Sequence, residues 1–173
     1  MKELFAKQLI LKEIRKEHLP QIFDIWSDVE AGQYMYDTHW ASVDELNVVL
    51  EANNDDDYYG FAAFLSTSGH EHDKDYVVAT CRISLYDDGE WEIGYNVRKN
   101  HWGKGFATEM VQTLVAFAKE LGATAVVTSV AQANAASCRV LEKCGFVVER
   151  ESSFTKKSTD IVFVCNDYRY YMS

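Results

Sequence analysis

The amino-acid sequence predicts a mixed α/β domain, with a sheet of about six or seven strands carrying about four helices. Three observations predict it. In Glu92–Val97 the apolar Ile93, Tyr95 and Val97 alternate with Glu92, Gly94 and Asn96, which is strand periodicity. A short glycine-punctuated loop follows, and then Ala107, Met110, Val111, Leu114, Ala118 and Leu121 recur at helical spacing, with Gly122 as the stop. Finally, apolar runs resume at 125–130, 146–151 and 160–165, each short enough for a strand.

Taken in order, Lys7–Ile14 reads as the first strand and Arg15–Pro20 as the lead into a helix with Ile22, Phe23, Ile25 and Trp26 on its apolar side. Pro20 suits a first helical turn. Beyond Gly32, the rings of Tyr34, Tyr36, His39 and Trp40 crowd together; they read either as a wall for an acceptor or as core aromatics under a loop. Ser42-Val-Asp-Glu has the form of an N-cap and acidic first turn, opening a helix to about Glu51 that ends at the polar run from Asn53 to Asp57. That run lacks the ligand spacing of a calcium loop.

Tyr59–Leu65 and Tyr76–Leu85 are strand-like, joined by a polar hairpin loop from Ser66 to Lys74. Its His70 and His72 are two ligands where zinc usually takes three or four, so no metal site is expected. Ala125–Val130 is nearly continuous apolar sequence, as in a strand covered on both faces. A short helix should follow, capped by Asn134 and stopped by Gly145. Phe146–Glu151 and Asp160–Cys165 then read as an antiparallel pair joined by the loop from Ser152 to Thr159.

At 173 residues, with 47% hydrophobic content, the chain fits a single domain spanning 1–173. Its 17 Lys plus Arg against 27 Asp plus Glu give a net charge of -10, which argues against nucleic acid as a partner. Four cysteines without Cys-x-x-Cys spacing read as reduced thiols. No apolar run approaches the roughly 18 residues of a membrane span and no leader is seen, so no membrane partner and a cytoplasmic location are expected. Monomer and homodimer both remain open.

Two stretches carry chemistry. The first is the loop Arg98-Lys-Asn-His-Trp-Gly-Lys-Gly before the central helix. A helix start leaves N–H groups unpaired at the positive end of the dipole, and Gly103 and Gly105 leave that backbone bare, with Arg98, Lys99 and Lys104 adding charge. The loop reads as an anion cradle, although glycines alone also make an ordinary tight turn. The second runs from Asn134 to Phe146, with Ser137, Val140, Leu141 and Cys144 on one helix face. Ser137 then faces inward, where its hydroxyl needs a partner; taken alone, Asn-x-x-Ser reads more simply as Asn134 capping and Ser137 bonding back to the preceding turn.

In this order the two stretches resemble the GNAT superfamily of acetyl-CoA-dependent N-acyltransferases. Trp102-Gly103-Lys104-Gly105-Phe106-Ala107 matches the family pattern Arg/Gln-x-x-Gly-x-Gly/Ala, departing only in Trp102, and Thr108-Glu109 follows it. The run from Asn134 to Phe146 is similar to the Asn-x-x-Ser...Leu-Glu-Lys-x-Gly-Phe motif of the ribosomal-protein N-terminal acetyltransferase branch.

The resemblance implies a GNAT-like fold, acetyl-CoA as acetyl donor, and a small-molecule or peptide amine as acceptor. It places the donor on residues 102–108 and Asn134, with Tyr95, Asn96 and Val97 offering backbone groups. By position in the motif, Ser137 is the candidate acid to the leaving thiolate. Glu92, sharing a strand face with Gly94, is the candidate base; alternatively it is an exposed strand carboxylate. The missing side chain of Gly94 should let the pantetheine arm lie close. A rival reading from another class is a GNAT-like module that binds acyl-CoA without catalysis. A third reading, a nucleotide phosphate-binding protein, is weaker, since Gly103-Lys-Gly-Phe-Ala-Thr lacks the Gly-x-x-x-x-Gly-Lys-Ser/Thr of a P-loop and the Gly-x-Gly-x-x-Gly of a dinucleotide site.

Overall fold

The structure is a computed structural model that describes residues 2–36, 40–53, 55–66, 75–157 and 159–173. Among these, β1 (Glu3–Phe5), β2 (Leu9–Glu13), β3 (Tyr58–Leu65), β4 (Ala79–Asp87), β5 (Glu90–Val97), β6 (Ala125–Ala131), β7 (Val147–Thr155) and β8 (Val162–Tyr171) form one eight-stranded sheet. The order is β1-β2-β3-β4-β5-β6-β8-β7. The helices are α1 (Leu19–Trp26), α2 (Asn47–Ala52), α3 (Phe106–Glu120) and α4 (Ala135–Lys143).

The sheet has one strand more than the expected six or seven. β1 is only three residues long and pairs with β2 from Glu3↔Lys12 to Phe5↔Ile10, too short to show a period in sequence. β7 and β8 reach further than their apolar runs. Their pairing continues from Val147↔Arg169 to Thr155↔Val162, through Arg150, Ser152 and Ser153. β7 lies at the edge of the sheet with its side chains mostly exposed, so a polar composition suits it and no apolar signal marks its end. Ser42 precedes the first turn of the α2 segment in extended conformation but makes no side-chain cap; instead the Glu45 carboxylate accepts from the Ala41 N–H at 2.9 Å.

Each face of the sheet carries its own core. Phe61, Ile83 and Ile93 pack against Phe106, Met110, Leu114 and Phe117 on the α3 side. Ala62, Phe64 and Val77 pack against Leu19, Ile22, Ile25, Leu46 and Val49 on the α1 side. Consecutive β3 residues serve opposite cores, as the two-residue strand period requires. The same alternation sends Ile93, Tyr95 and Val97 to the α3–α4 face, and Glu92, Gly94 and Asn96 to the other.

Every pairing in the sheet is antiparallel except β5–β6, whose parallel connection is made by α3. These two strands pair only at Glu90↔Ala125, Trp91↔Val126 and Glu92↔Val127. Beyond that, β5 stays with β4 to Val97↔Ala79 and β6 stays with β8 to Ala131↔Cys165. The sheet therefore parts between β5 and β6 at its centre.

Leu114 has no exposed surface, so Leu114→Ala is expected to lower the unfolding free energy by about 2–5 kcal/mol in a urea titration. Val148→Thr on the half-exposed edge strand should stay within about 0.5 kcal/mol of the parent.

Candidate active site

The glycine loop folds as the sequence suggests, but its side chains are used differently. Gly103 and Gly105 have φ of +74° and +83°, and a Cβ added to either would meet nothing within 4 Å. The glycines are thus needed for the left-handed backbone and for an open face rather than for packing. Gly105 caps α3 without a side-chain acceptor, so the first-turn N–H groups of Phe106, Ala107 and Thr108 face the loop without helical partners. Glu109, the one acid in that turn, is drawn away by Gln8, whose N–H and Nε2 donate to its carboxylate at 2.9 and 2.6 Å. A bare backbone with no competing carboxylate fits an anion such as a pyrophosphate.

Trp102, standing where the family pattern has Arg or Gln, donates its indole Nε1–H to the Val97 carbonyl at 2.7 Å. It pins the loop to the last residue of β5, and that carbonyl is accordingly already engaged. Two of the cations expected to line the cradle serve elsewhere. Arg98 donates to the carbonyls of Val77 and Gln21 at 3.0 and 3.1 Å and lies over the Tyr76 ring, and Lys99 pairs with Glu30. Lys104 stays exposed on the loop, 3.2 Å from His101 Nδ1, and His101 stacks on Phe106. Burial, then Lys104 and Arg98, hold His101 below its ordinary value, so at neutral pH the imidazole is uncharged and accepts from Lys104.

Across the parting of the sheet, Tyr95 of β5 reaches α4: its hydroxyl lies 2.5 Å from Ser137 Oγ. Asn134 accepts the Ser137 N–H on its side-chain oxygen at 3.2 Å, capping α4. The amide nitrogen of Asn134, and a second lone pair on its oxygen, are then left for a ligand. Burial pushes the Tyr95 phenol up to about 12, against a smaller opposing effect of the Ser137 hydrogen bond. Ser137 thus has the inward partner that its position on the helix face demanded.

Glu92 sits on the opposite face, at the last residue paired with β6. Its Oε2 receives Arg82 Nη2 at 2.8 Å, and Arg82 Nη1 donates to Ser84 at 2.9 Å. A Cβ on Gly94 would stand 3.3 Å from Arg82 Nε. The space left by Gly94 thus accommodates the arginine, and the expectation that it admits a pantetheine arm is corrected. Arg82 is the residue that sequence reasoning missed, because its pairing opposite Gly94 is visible only once β4 and β5 are in register.

Asn96 points its amide to Met35 Sδ at 3.0 Å, on the side of the α1–α2 connection and away from the glycine loop. That connection is fastened to the β7–β8 turn. Lys156, nearly buried, donates to the carbonyls of Gly32 and Gln33, and the Lys157 N–H donates to Tyr36. Tyr34 packs edge-on against Phe163 and Tyr36 against Phe154, whereas Trp40 joins Trp26 in the α1-side core. The aromatic wall is divided accordingly, and His39 lies outside the described residues.

Among the described residues, no group of three or more His, Cys, Asp or Glu is placed to hold a metal; His70 and His72 lie outside them. All four cysteines are free thiols. No helix among the described residues is long and apolar enough to cross a membrane.

With this geometry in view, the comparisons with known proteins agree with it. Residues 8–147 match the family model described as an acetyltransferase (GNAT) domain. An N-acetyltransferase of Bacillus licheniformis, p20, itself uncharacterised, is 32% identical over 152 residues, covering 86% of this chain and 84% of its own. A spermidine N-acetyltransferase from Vibrio cholerae, solved with CoA and spermine, superposes with a TM-score of 0.81 at 18% identity, covering 95% of each chain. So does an acetyltransferase from Salmonella typhimurium that modifies the N-terminal serine of a 50S ribosomal subunit protein, with a TM-score of 0.81 at 15% identity over 99% of this chain and 100% of that one. The chain belongs to the acetyltransferase (GNAT) domain family.

The lowered His101 gives a pH prediction. Below about pH 6.5 the unfolded chain takes up the proton before the folded protein does, so stability is full above that pH and falls as the pH drops towards the depressed value. His18, held low mainly by burial, acts in the same direction. Urea midpoints should fall between about pH 7.5 and pH 5.5, and fall less in His101→Gln.

Proposed function

We propose that the protein transfers the acetyl group of acetyl-CoA to a primary amine, either a peptide N-terminus or a small cationic amine. The observation that carries this reading is the opening between β5 and β6. An anion cradle and the Tyr95–Ser137 pair lie on its α3–α4 side, and Glu92 and Asn96 on the other. Donor and acceptor can then approach one point from opposite faces of the sheet.

Acetyl-CoA supplies an activated thioester. The backbone from Gly103 to Thr108, with Lys104, holds its pyrophosphate. Tyr95 to Val97, freed from β6, offer backbone groups to the pantetheine amides, apart from the Val97 carbonyl that Trp102 holds, and the Asn134 amide assists. Glu92 accepts the proton lost by the attacking amine, directly or through water, with Arg82 fixing the orientation of its carboxylate. Ser137 supplies a proton to the departing thiolate. The acceptor is bounded by the α1–α2 connection and the β7–β8 turn, with Tyr34 and Tyr36 contributing aromatic surface. At a net charge of -10, with acidic runs at Asp55–Asp57 and Asp87–Glu90, the field favours a cationic amine. The location that suits this reading is the cytoplasm.

A panel of amines tests catalysis against mere binding. Thiol release from acetyl-CoA should appear with at least one of a serine-initiated peptide, spermidine and an amino sugar. Tight CoA binding with no thiol release from any amine would instead establish an acyl-CoA-binding module. For the active enzyme, Ser137→Ala should lower kcat by about 10²-fold or more while leaving acetyl-CoA affinity nearly unchanged. A loss confined to binding would return Ser137 to a structural role.

The cradle has a separate check. Gly105→Glu places bulk and negative charge at the helix start and should abolish CoA binding in calorimetry, whereas Lys104→Ala should weaken it modestly. Unchanged affinity in Gly105→Glu would show that the anion sits elsewhere.

A further inference from the structure

Ser137 is held at two points. Its N–H is bound by Asn134, and its Oγ is bound across the parted sheet by the Tyr95 hydroxyl at 2.5 Å. A serine acting alone as an acid would be left as an alkoxide, a poor place for negative charge in a half-buried site. A phenol is the stronger acid of the two hydroxyls, and this one is directly in reach. We propose that Tyr95 is a positioning residue that backs Ser137, passing its phenolic proton to Ser137 Oγ as Ser137 gives its own proton to the departing thiolate. This rests on the reading of Ser137 as the acid.

The protons balance. As the C–S bond breaks, the Ser137 O–H bond breaks and an S–H bond forms on the leaving group. The Tyr95 O–H bond breaks and the Ser137 O–H bond is restored. The Tyr95 phenolate then recovers a proton from solvent, while the proton taken from the amine leaves through Glu92 to solvent. Either hydroxyl can donate at this distance; the relay uses the arrangement in which Tyr95 donates and Ser137 Oγ accepts, which leaves the serine hydrogen for the sulfur. Burial keeps the phenol fully protonated at neutral pH, so the donor is always loaded.

Tyr95→Phe keeps the ring that packs against the α3-side core and removes only the oxygen. With acetyl-CoA and whichever of spermidine or a serine-initiated peptide the parent enzyme turns over, kcat should fall at least roughly tenfold. Calorimetric CoA affinity should stay within about twofold. In a Ser137→Ala background, the same change should cost less than about twofold more, because the residue through which Tyr95 acts is gone. Unchanged kcat in Tyr95→Phe overturns the inference. So do losses that multiply in the double variant, or a CoA affinity that falls in step with kcat, since either would assign Tyr95 a packing role. If the parent enzyme releases no thiol with any amine, the acetyltransferase reading itself fails, and with it the relay. An active parent with an indifferent Tyr95→Phe overturns the relay alone.

Discussion

The rest of the structure depends on the point at which β5 leaves β6. Their parallel pairing lasts three residues and ends at Glu92↔Val127. Each strand then keeps only its outer partner. A sheet normally satisfies its backbone groups on both sides; here the inner edges of both strands are given up at the centre of the fold. On the proposed function, the gap left between them is the opening at which donor and acceptor meet. The cost is tolerable because antiparallel partners and two separate cores hold the strands on either side.

The surroundings of the opening are built to keep it in shape. Trp102 ties the glycine loop to Val97, Arg82 crosses Gly94 to reach Glu92, and Tyr95 bridges to Ser137. Electrostatics follow the same plan. In a protein of net charge -10, the start of α3 is kept free of acid by the hold of Gln8 on Glu109. The proposed cradle would thus rely on main-chain dipoles and Lys104 rather than on a crowd of cations, since Arg98 and Lys99 brace the chain elsewhere. Lys156 does comparable work on the other face, anchoring the α1–α2 connection to the β7–β8 turn.

What was legible in the sequence was local. The alternation of Glu92–Val97, the helical spacing after Gly105, the helix stops at Gly122 and Gly145 and the Asn134 cap each express a rule with a reach of a few residues, and each is found where expected. What was hidden depends on register and strand neighbours. The pairing of Arg82 with Glu92 requires β4 and β5 aligned, and that of Tyr95 with Ser137 joins residues 42 apart in sequence. The division of the aromatic wall was equally hidden, because Tyr34 and Trp40 differ only in which partner, Phe163 or Trp26, the fold brings to them. β1 escaped because three residues are too few to display a period.

The central claim is that donor and acceptor meet at the parting of the sheet from opposite faces. Amide hydrogen exchange, followed by mass spectrometry with and without CoA, tests it most directly. The account predicts slowed exchange in Gly103–Thr108 and Ile93–Val97, with the Asp28–Tyr36 segment on the far face unaltered. Protection confined to Asp28–Tyr36, with none at the start of α3 or along the free half of β5, would contradict it.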